Sequence, residues 1–190
     1  ANSLRVFTTA DVETLTGLTA AAAAQALRRL SSAKIVCRIK RGVWVNLLIS
    51  DLNPYEAVPH LRAPWPVYVS LYSALSDHGV IEEIPQVVYA VSPAIPKRYS
   101  TPIGVFHIHH LPRHLLFGYE MKRAGNAIYR IADPEKAFLD LVYLALIPRS
   151  PIELPVKRGR KWRLDRKRLK SYASRFRFPP LTEYLRKNVE

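Results

Sequence analysis

Apolar positions near the start of the chain recur at helical spacing. Thr8 is an N-cap with Asp11 three residues on, a loose capping box, and the short helix it starts is closed by Gly17. Thr19 caps a second helix over residues 20–30, in which Ala23, Ala26, Leu27 and Leu30 fall at i, i+3, i+4 and i+7 and form one narrow buried face. The opposite face carries Ala21, Ala22, Gln25, Arg28 and Arg29. Two β-rich runs, 35–39 and 43–46, then flank a turn at Lys40-Arg41-Gly42 and predict a hairpin. Helix, Gly-bearing turn, helix and basic two-stranded wing, in that order, predict a winged helix-turn-helix over residues 1–50.

The pattern then changes. Pro54, Pro59, Pro64 and Pro66 mark 51–66 as a linker or irregular crossing segment. Residues 67–147 read as an α+β unit. Ser70 caps a helix through Leu75 that ends at Asp77-His78-Gly79. Strands follow over 87–91, 104–109, 116–119 and 127–131, and Asp133 with Pro134 and Glu135 launches the central core helix over 135–146. Pro148, Pro151 and Pro155 mark a second break. In the remaining tail, within 148–190, Asp165 caps a helix with Leu169, Tyr172 and Ala173 on one face, and a short helix runs over 181–186. The expected class is α+β: a winged helix-turn-helix, then a mixed α/β domain with a small sheet and a basic helical tail.

Charge sharpens this picture. The chain of 190 residues holds 29 Lys plus Arg against 15 Asp plus Glu, a formal net charge of +14 that points to a polyanionic partner. Residues 1–46 hold seven basic and two acidic side chains, 47–156 nine and ten, and 157–190 thirteen and three. Two cationic ends around a neutral middle predict two contact surfaces on a scaffold. No apolar run reaches membrane-spanning length, since the best one, 137–147, is interrupted by Asp140. The first residues lack a basic-then-apolar leader and Cys37 stands alone, so a reducing cytoplasm is the expected compartment and no membrane the expected setting.

Double-stranded DNA is the polyanion these positions fit. The major groove admits one α-helix, and the small side chains of Ala21 and Ala22, behind the Thr19 cap, let its backbone approach the bases. Gln25 pairs with adenine and Arg28 with guanine in such a geometry. Arg29, Lys34, Arg38, Lys40 and Arg41 are placed for phosphates, which position without specifying sequence. Lys157, Arg158, Arg160, Lys161, Arg163, Arg166, Lys167 and Arg168, interleaved with Trp162 and Leu164, make the expected second phosphate surface. The bland alternatives are a well-formed Ala-rich helix with a solvated face, and a charged tail packed on the core by its aromatic stripe.

Catalytic constellations are poorly supplied. His107, His109, His110 and His114 form a metal-like cluster without Cys or carboxylate partners nearby, so a half-exposed polar strand face is expected and no metal or other cofactor. Glu120 and Lys122 have the carboxylate-x-lysine form of some metal-dependent nucleases, but the only acids between Asp77 and Glu120 are Glu82 and Glu83. A nuclease delivered by the helix-turn-helix is the rival from another class. A third reading makes the second domain a protein-interaction module and the basic tail an RNA-binding surface, and a stand-alone DNA- or RNA-binding regulator without a toxin is a further alternative. Lone Cys37 has no evident activating base, and Asp133-Pro134-Glu135-Lys136 is explained by helix-start chemistry.

The residues also resemble a known family. Phe-Thr-Thr-Ala-Asp-Val, Thr-Gly-Leu-Thr, Ala-Leu-Arg-Arg-Leu and Ile-Val-Cys-Arg-Ile-Lys-Arg-Gly-Val-Trp-Val, within residues 7–46, are similar to the winged helix-turn-helix of AbiEi-type antitoxins of abortive-infection, type IV toxin–antitoxin systems. The run from Val69 to Ile81 with Ile84-Pro85 resembles the opening of that family's second domain, and Ile131 to Asp140 its later helix. The resemblance implies a non-enzymatic transcriptional autorepressor that binds repeats in its own promoter. It also implies a carboxy-terminal region that assists binding and counteracts a co-encoded nucleotidyltransferase-like toxin, functionally rather than through a stable complex.

Overall fold

A reciprocal cap starts the first helix: Asp11 N–H donates to Thr8 Oγ1 at 3.2 Å, and Thr8 N–H to Asp11 Oδ2 at 2.6 Å. Helix α1 (Thr9–Thr16) ends at Gly17, whose φ of +69° is the left-handed conformation that a glycine adopts at least cost. Thr19 caps α2 (Ala20–Ser32), two residues longer than the spacing predicts. Strands β1 (Val6–Thr8), β2 (Val36–Lys40) and β3 (Val43–Asn46) pair antiparallel in the order β1-β3-β2, with β2 and β3 forming the expected hairpin. These elements belong to a computed structural model that describes residues 4–154 and 162–189.

The two sides of that small sheet go to different places. Phe7, Leu27, Val36 and Trp44 make a minor core beneath the two helices, and α1 itself buries no residue. Cys37, Ile39, Val43 and Val45 instead join the main core with Ala57, Val58 and Leu61. The segment 51–66 is therefore not an irregular linker. It forms a 3-10 turn (Pro54–Ala57) and α3 (Val58–Arg62), with Pro54 and Pro59 in first-turn positions where a missing N–H costs nothing. Arg5 ties the chain start to it, with Nε 2.6 Å from Glu56 Oε2 and Nη1 2.9 Å from Asp51 Oδ1.

The main sheet has six strands in the order β6-β7-β5-β4-β9-β8: β4 (Tyr68–Val69), β5 (Val87–Ser92), β6 (Lys97–Thr101), β7 (Gly104–His110), β8 (Tyr119–Ala124) and β9 (Ala127–Ala132). The β5–β7 and β4–β9 pairs are parallel and the others antiparallel. The edge strand β6 reads Lys-Arg-Tyr-Ser-Thr and gives no apolar alternation, so the sequence does not announce it. The strand expected over 116–119 starts only at Tyr119, because Phe117 turns its ring onto Tyr172, with centroids 5.1 Å apart.

After β4 the chain enters α4 (Leu71–Asp77). Ser70 precedes it but makes no side-chain cap; its hydroxyl donates to Asp140 Oδ2 at 2.8 Å instead. Ser73 Oγ accepts the Tyr89 N–H at 2.8 Å and donates to Val87 O at 3.3 Å, so a helix side chain completes the ladder that two-residue β4 leaves open. Helix α5 (Pro134–Leu146), capped by Asp133, crosses one face of the sheet, while α3 and the hairpin cover the other. The tail continues the α5 layer as α6 (Arg166–Phe176) and α7 (Pro179–Asn188), docked through Leu169, Phe176, Leu181 and Leu185. Asp165 caps α6, as expected from the sequence.

Helix-start chemistry does not account for all of Asp133-Pro134-Glu135-Lys136. Lys136 and Asp140, both 0% exposed, form an ion pair one turn apart inside the core. Asp140 also accepts from Tyr68 Oη at 3.1 Å and from Ser70, and Lys136 Nζ lies 4.9 to 5.6 Å from the ring centroids of Phe117, Phe176 and Tyr68. Burial lowers the Lys136 pKa and raises that of Asp140, and their mutual attraction opposes both shifts. Gly118 (φ +65°) passes beside this box, where a Cβ would stand 2.9 Å from the Tyr172 ring. Asp140→Asn, which strands a buried ammonium, is expected to cost about 3–5 kcal/mol in urea unfolding. Lys136→Met in the same chain should recover most of that loss, and simple additivity of the two substitutions would refute the pairing.

Candidate nucleic-acid interface

The Thr19 hydroxyl accepts the Ala22 N–H at 3.3 Å, so α2 begins at a defined point and presents a defined face. Ala23 and Leu27 are buried, Leu27 in the minor core, Ala26 is half-buried, and Leu30, expected inside, is 38% exposed. On the other side Ala21, Gln25, Arg28 and Arg29 are exposed and Ala22 is half-buried. The predicted outward face is thus free of the rest of the molecule. No carboxylate occurs between Glu13 and Asp51, while Arg28, Arg29, Lys34, Arg38, Lys40 and Arg41 all do. A polyanion approaching this layer meets cations without competing acids on the same segment.

The hairpin divides its cations. Arg38 and Arg41 are exposed, the latter at the turn where Gly42 takes a φ of +73°. Lys34, also exposed, takes a φ of +57° just after α2, turning the chain from helix into hairpin. Lys40 is half-buried, and its Nζ donates to the Leu61 carbonyl at 3.1 Å, pinning the hairpin to α3. It therefore differs from its neighbours in having an internal partner. Trp44 Nε1 donates to Thr9 Oγ1 at 3.0 Å and joins α1 to the hairpin. Burial raises the Cys37 thiol pKa, which leaves it a packing residue in the main core.

In the tail, Arg163, Arg166, Lys167 and Arg168 are exposed, whereas Lys157, Arg158, Arg160 and Lys161 lie outside the described residues. Helix α6 is anchored by its acid partners: Asp165 N–H donates to Glu135 Oε1 at 2.7 Å, Tyr172 Oη to Asp133 Oδ2 at 2.9 Å, and Arg168 Nη1 lies 3.6 Å from Glu135 Oε2. The aromatic stripe does pack on the core, and the basic positions face outward from it. Because α6 belongs to the layer opposite α3 and the hairpin, the two basic regions stand across the sheet from each other. The sequence carries no signal for that separation.

Glu120 is exposed and Lys122 Nζ lies 2.5 Å from Asp77 Oδ2, an acid supplied by α4. Tyr129 Oη donates to Asp77 Oδ1 at 3.2 Å, and burial first, then Asp77, pushes the phenol up to about 12. Among the described residues, no group of three His, Cys, Asp or Glu side chains is placed to hold a metal ion, and no helix is long and apolar enough to cross a membrane. His107 and His109 share one face of β7 with ring centroids 6.4 Å apart, as the alternation predicts, and Tyr89 lies against both. No protein-family model and no curated protein matches the chain.

Burial, and to a lesser degree His107 and Arg98, brings the His109 pKa down from the ordinary 6.5 to about 4. Between those values the unfolded chain binds the proton and the folded chain does not. The neutral ring's contribution is therefore complete above the unfolded pKa and is lost as pH falls through the folded one. His109→Phe should shrink the loss of stability between about pH 7.5 and about pH 5 by about 1–2 kcal/mol, read from urea midpoints. An unchanged pH profile would show that His109 titrates normally.

Proposed function

We propose that the chain is a sequence-specific, double-stranded DNA-binding transcriptional repressor of the AbiEi antitoxin type, with its amino-terminal layer used as a winged helix-turn-helix. The observation that carries this reading is the exposed outer face of α2, with Ala21, Gln25 and Arg28, on a segment devoid of carboxylates that also carries the exposed hairpin-turn residue Arg41. In the proposed mechanism α2 enters the major groove. Gln25 and Arg28 meet base edges there, and Arg29, Lys34, Arg38 and Arg41 hold phosphates on either side. Lys40 supports the wing from beneath. Repression is steric, by occupation of the chain's own promoter in the cytoplasm, and the tail cations make a separate phosphate contact on another part of the duplex. As an antitoxin of this type the protein would counteract a co-encoded nucleotidyltransferase-like toxin without a stable complex, and it would carry out no catalysis itself.

Binding to DNA from the chain's own upstream region should fall with salt at a log–log slope near −5, for about six neutralised phosphates. Arg28→Ala should erode the preference for that DNA over random duplex by about tenfold, whereas Arg41→Ala should weaken both alike. Equal losses on both duplexes for Arg28→Ala would remove that side chain from base reading, and a salt-independent affinity would defeat the interface as a whole.

The antitoxin role has its own assay. Co-expression with a nucleotidyltransferase-like reading frame adjacent to this gene is expected to restore growth that the frame alone arrests. Continued arrest at full antitoxin expression would leave a repressor without that role.

A further inference from the structure

On the α5 side of the sheet, beyond the reach of α6 and α7, strands β6 and β7 border a cleft of about 440 Å³, within the size range of small-molecule sites. One wall is polar: Arg98 from β6, register partner of His107, and His107 and His109 from β7. The other is apolar, formed by Leu144 and Ile147 at the end of α5 and by Pro151. Among the described residues, no carboxylate lines it. His109 Nε2 finds no hydrogen-bond partner among the described residues although it is buried, which a native interior rarely tolerates. Tyr89 stacks on His109 at 6.0 Å and meets His107 edge-on, so the imidazoles are held as flat surfaces.

From this arrangement we infer that the cleft is a binding site for a small aromatic carboxylate. The Arg98 guanidinium supplies the charge-assisted contact for the carboxylate, and a turn of the His109 ring brings its enclosed Nε2 out as a second polar contact. The ring of the ligand lies against the imidazole faces and the Leu144–Ile147 wall. This orientation also keeps the carboxylate away from the carbonyl end of α5, whose partial negative charge would repel it. The site uses none of the residues assigned to DNA, so it stands or falls independently of that assignment.

The probe is 4-fluorobenzoate, followed by fluorine NMR and by the ring nitrogen resonances of His107 and His109 on the full chain. Saturable binding that moves both imidazoles is expected. The neutral isostere 4-fluorobenzamide should bind about tenfold more weakly, and Arg98→Gln should cause a similar loss. Arg123→Gln, on the exposed far edge of the sheet, should change nothing, and His109→Phe, which removes the polar atom, should weaken the carboxylate more than the amide. Absence of saturation at the two imidazoles up to about 10 mM would overturn the assignment. Equal affinity for the amide, or equal losses in the Arg98 and Arg123 variants, would overturn it as well.

Discussion

Lys136 and Asp140 are charges enclosed by the core, and the packing around them is organised by the need to keep them satisfied. Asp140 gathers hydroxyls from Tyr68 at the start of β4 and from Ser70 at the start of the next helix. Lys136 gathers the faces of Phe117, from the approach to β8, and Phe176, from α6. One turn of α5 thus connects the middle of the sheet to the tail. An unpaired charge at this depth would cost several kcal/mol, so the partners must assemble together. The tail is consequently part of the folded body: removing Phe176 or the α6 docking would open one wall of the box.

The amino-terminal layer is held by a different balance. Its helices rest on a minor core of Phe7, Leu27, Val36 and Trp44, whereas the hairpin shares the main core through Cys37, Ile39, Val43 and Val45. Apolar burial scales with area, so the hairpin is held firmly and α1, with no buried residue, only lightly. Lys40, bonded to the Leu61 carbonyl, ties the hairpin further to the main body.

Several carboxylates are tied up in internal pairings. Asp51 and Glu56 hold Arg5, Asp77 holds Lys122, Asp133 receives Tyr172, and Glu135 holds the start of α6. The cationic surplus therefore accumulates on α2, the hairpin tip and the outer side of α6. Among the described residues, the β6–β7 cleft is lined by a guanidinium and imidazoles and by no acid. Its His109 ring is kept neutral by burial, and its free Nε2 marks the place where the interior lacks a partner.

Local chemistry was legible throughout the sequence: the Thr8, Thr19, Asp133 and Asp165 caps, the Gly17 stop, the hairpin turn, and the outward face of α2. Each depends on neighbours within about one helical turn or one strand pair, which spacing encodes directly. Tertiary structure decided everything that joins distant segments. Prolines that punctuate a loop in one context start helices in another, so 51–66 became packed helical turns. Polar β6 is a strand only because β7 offers it a hydrogen-bonding edge, and Ser70 left its cap because Asp140 was within reach. The ion pair was hidden for the same reason. Lys136 and Asp140 are an unremarkable i, i+4 pair on paper, and only the aromatic walls brought from β4, the Phe117 segment and α6 put them where water cannot go.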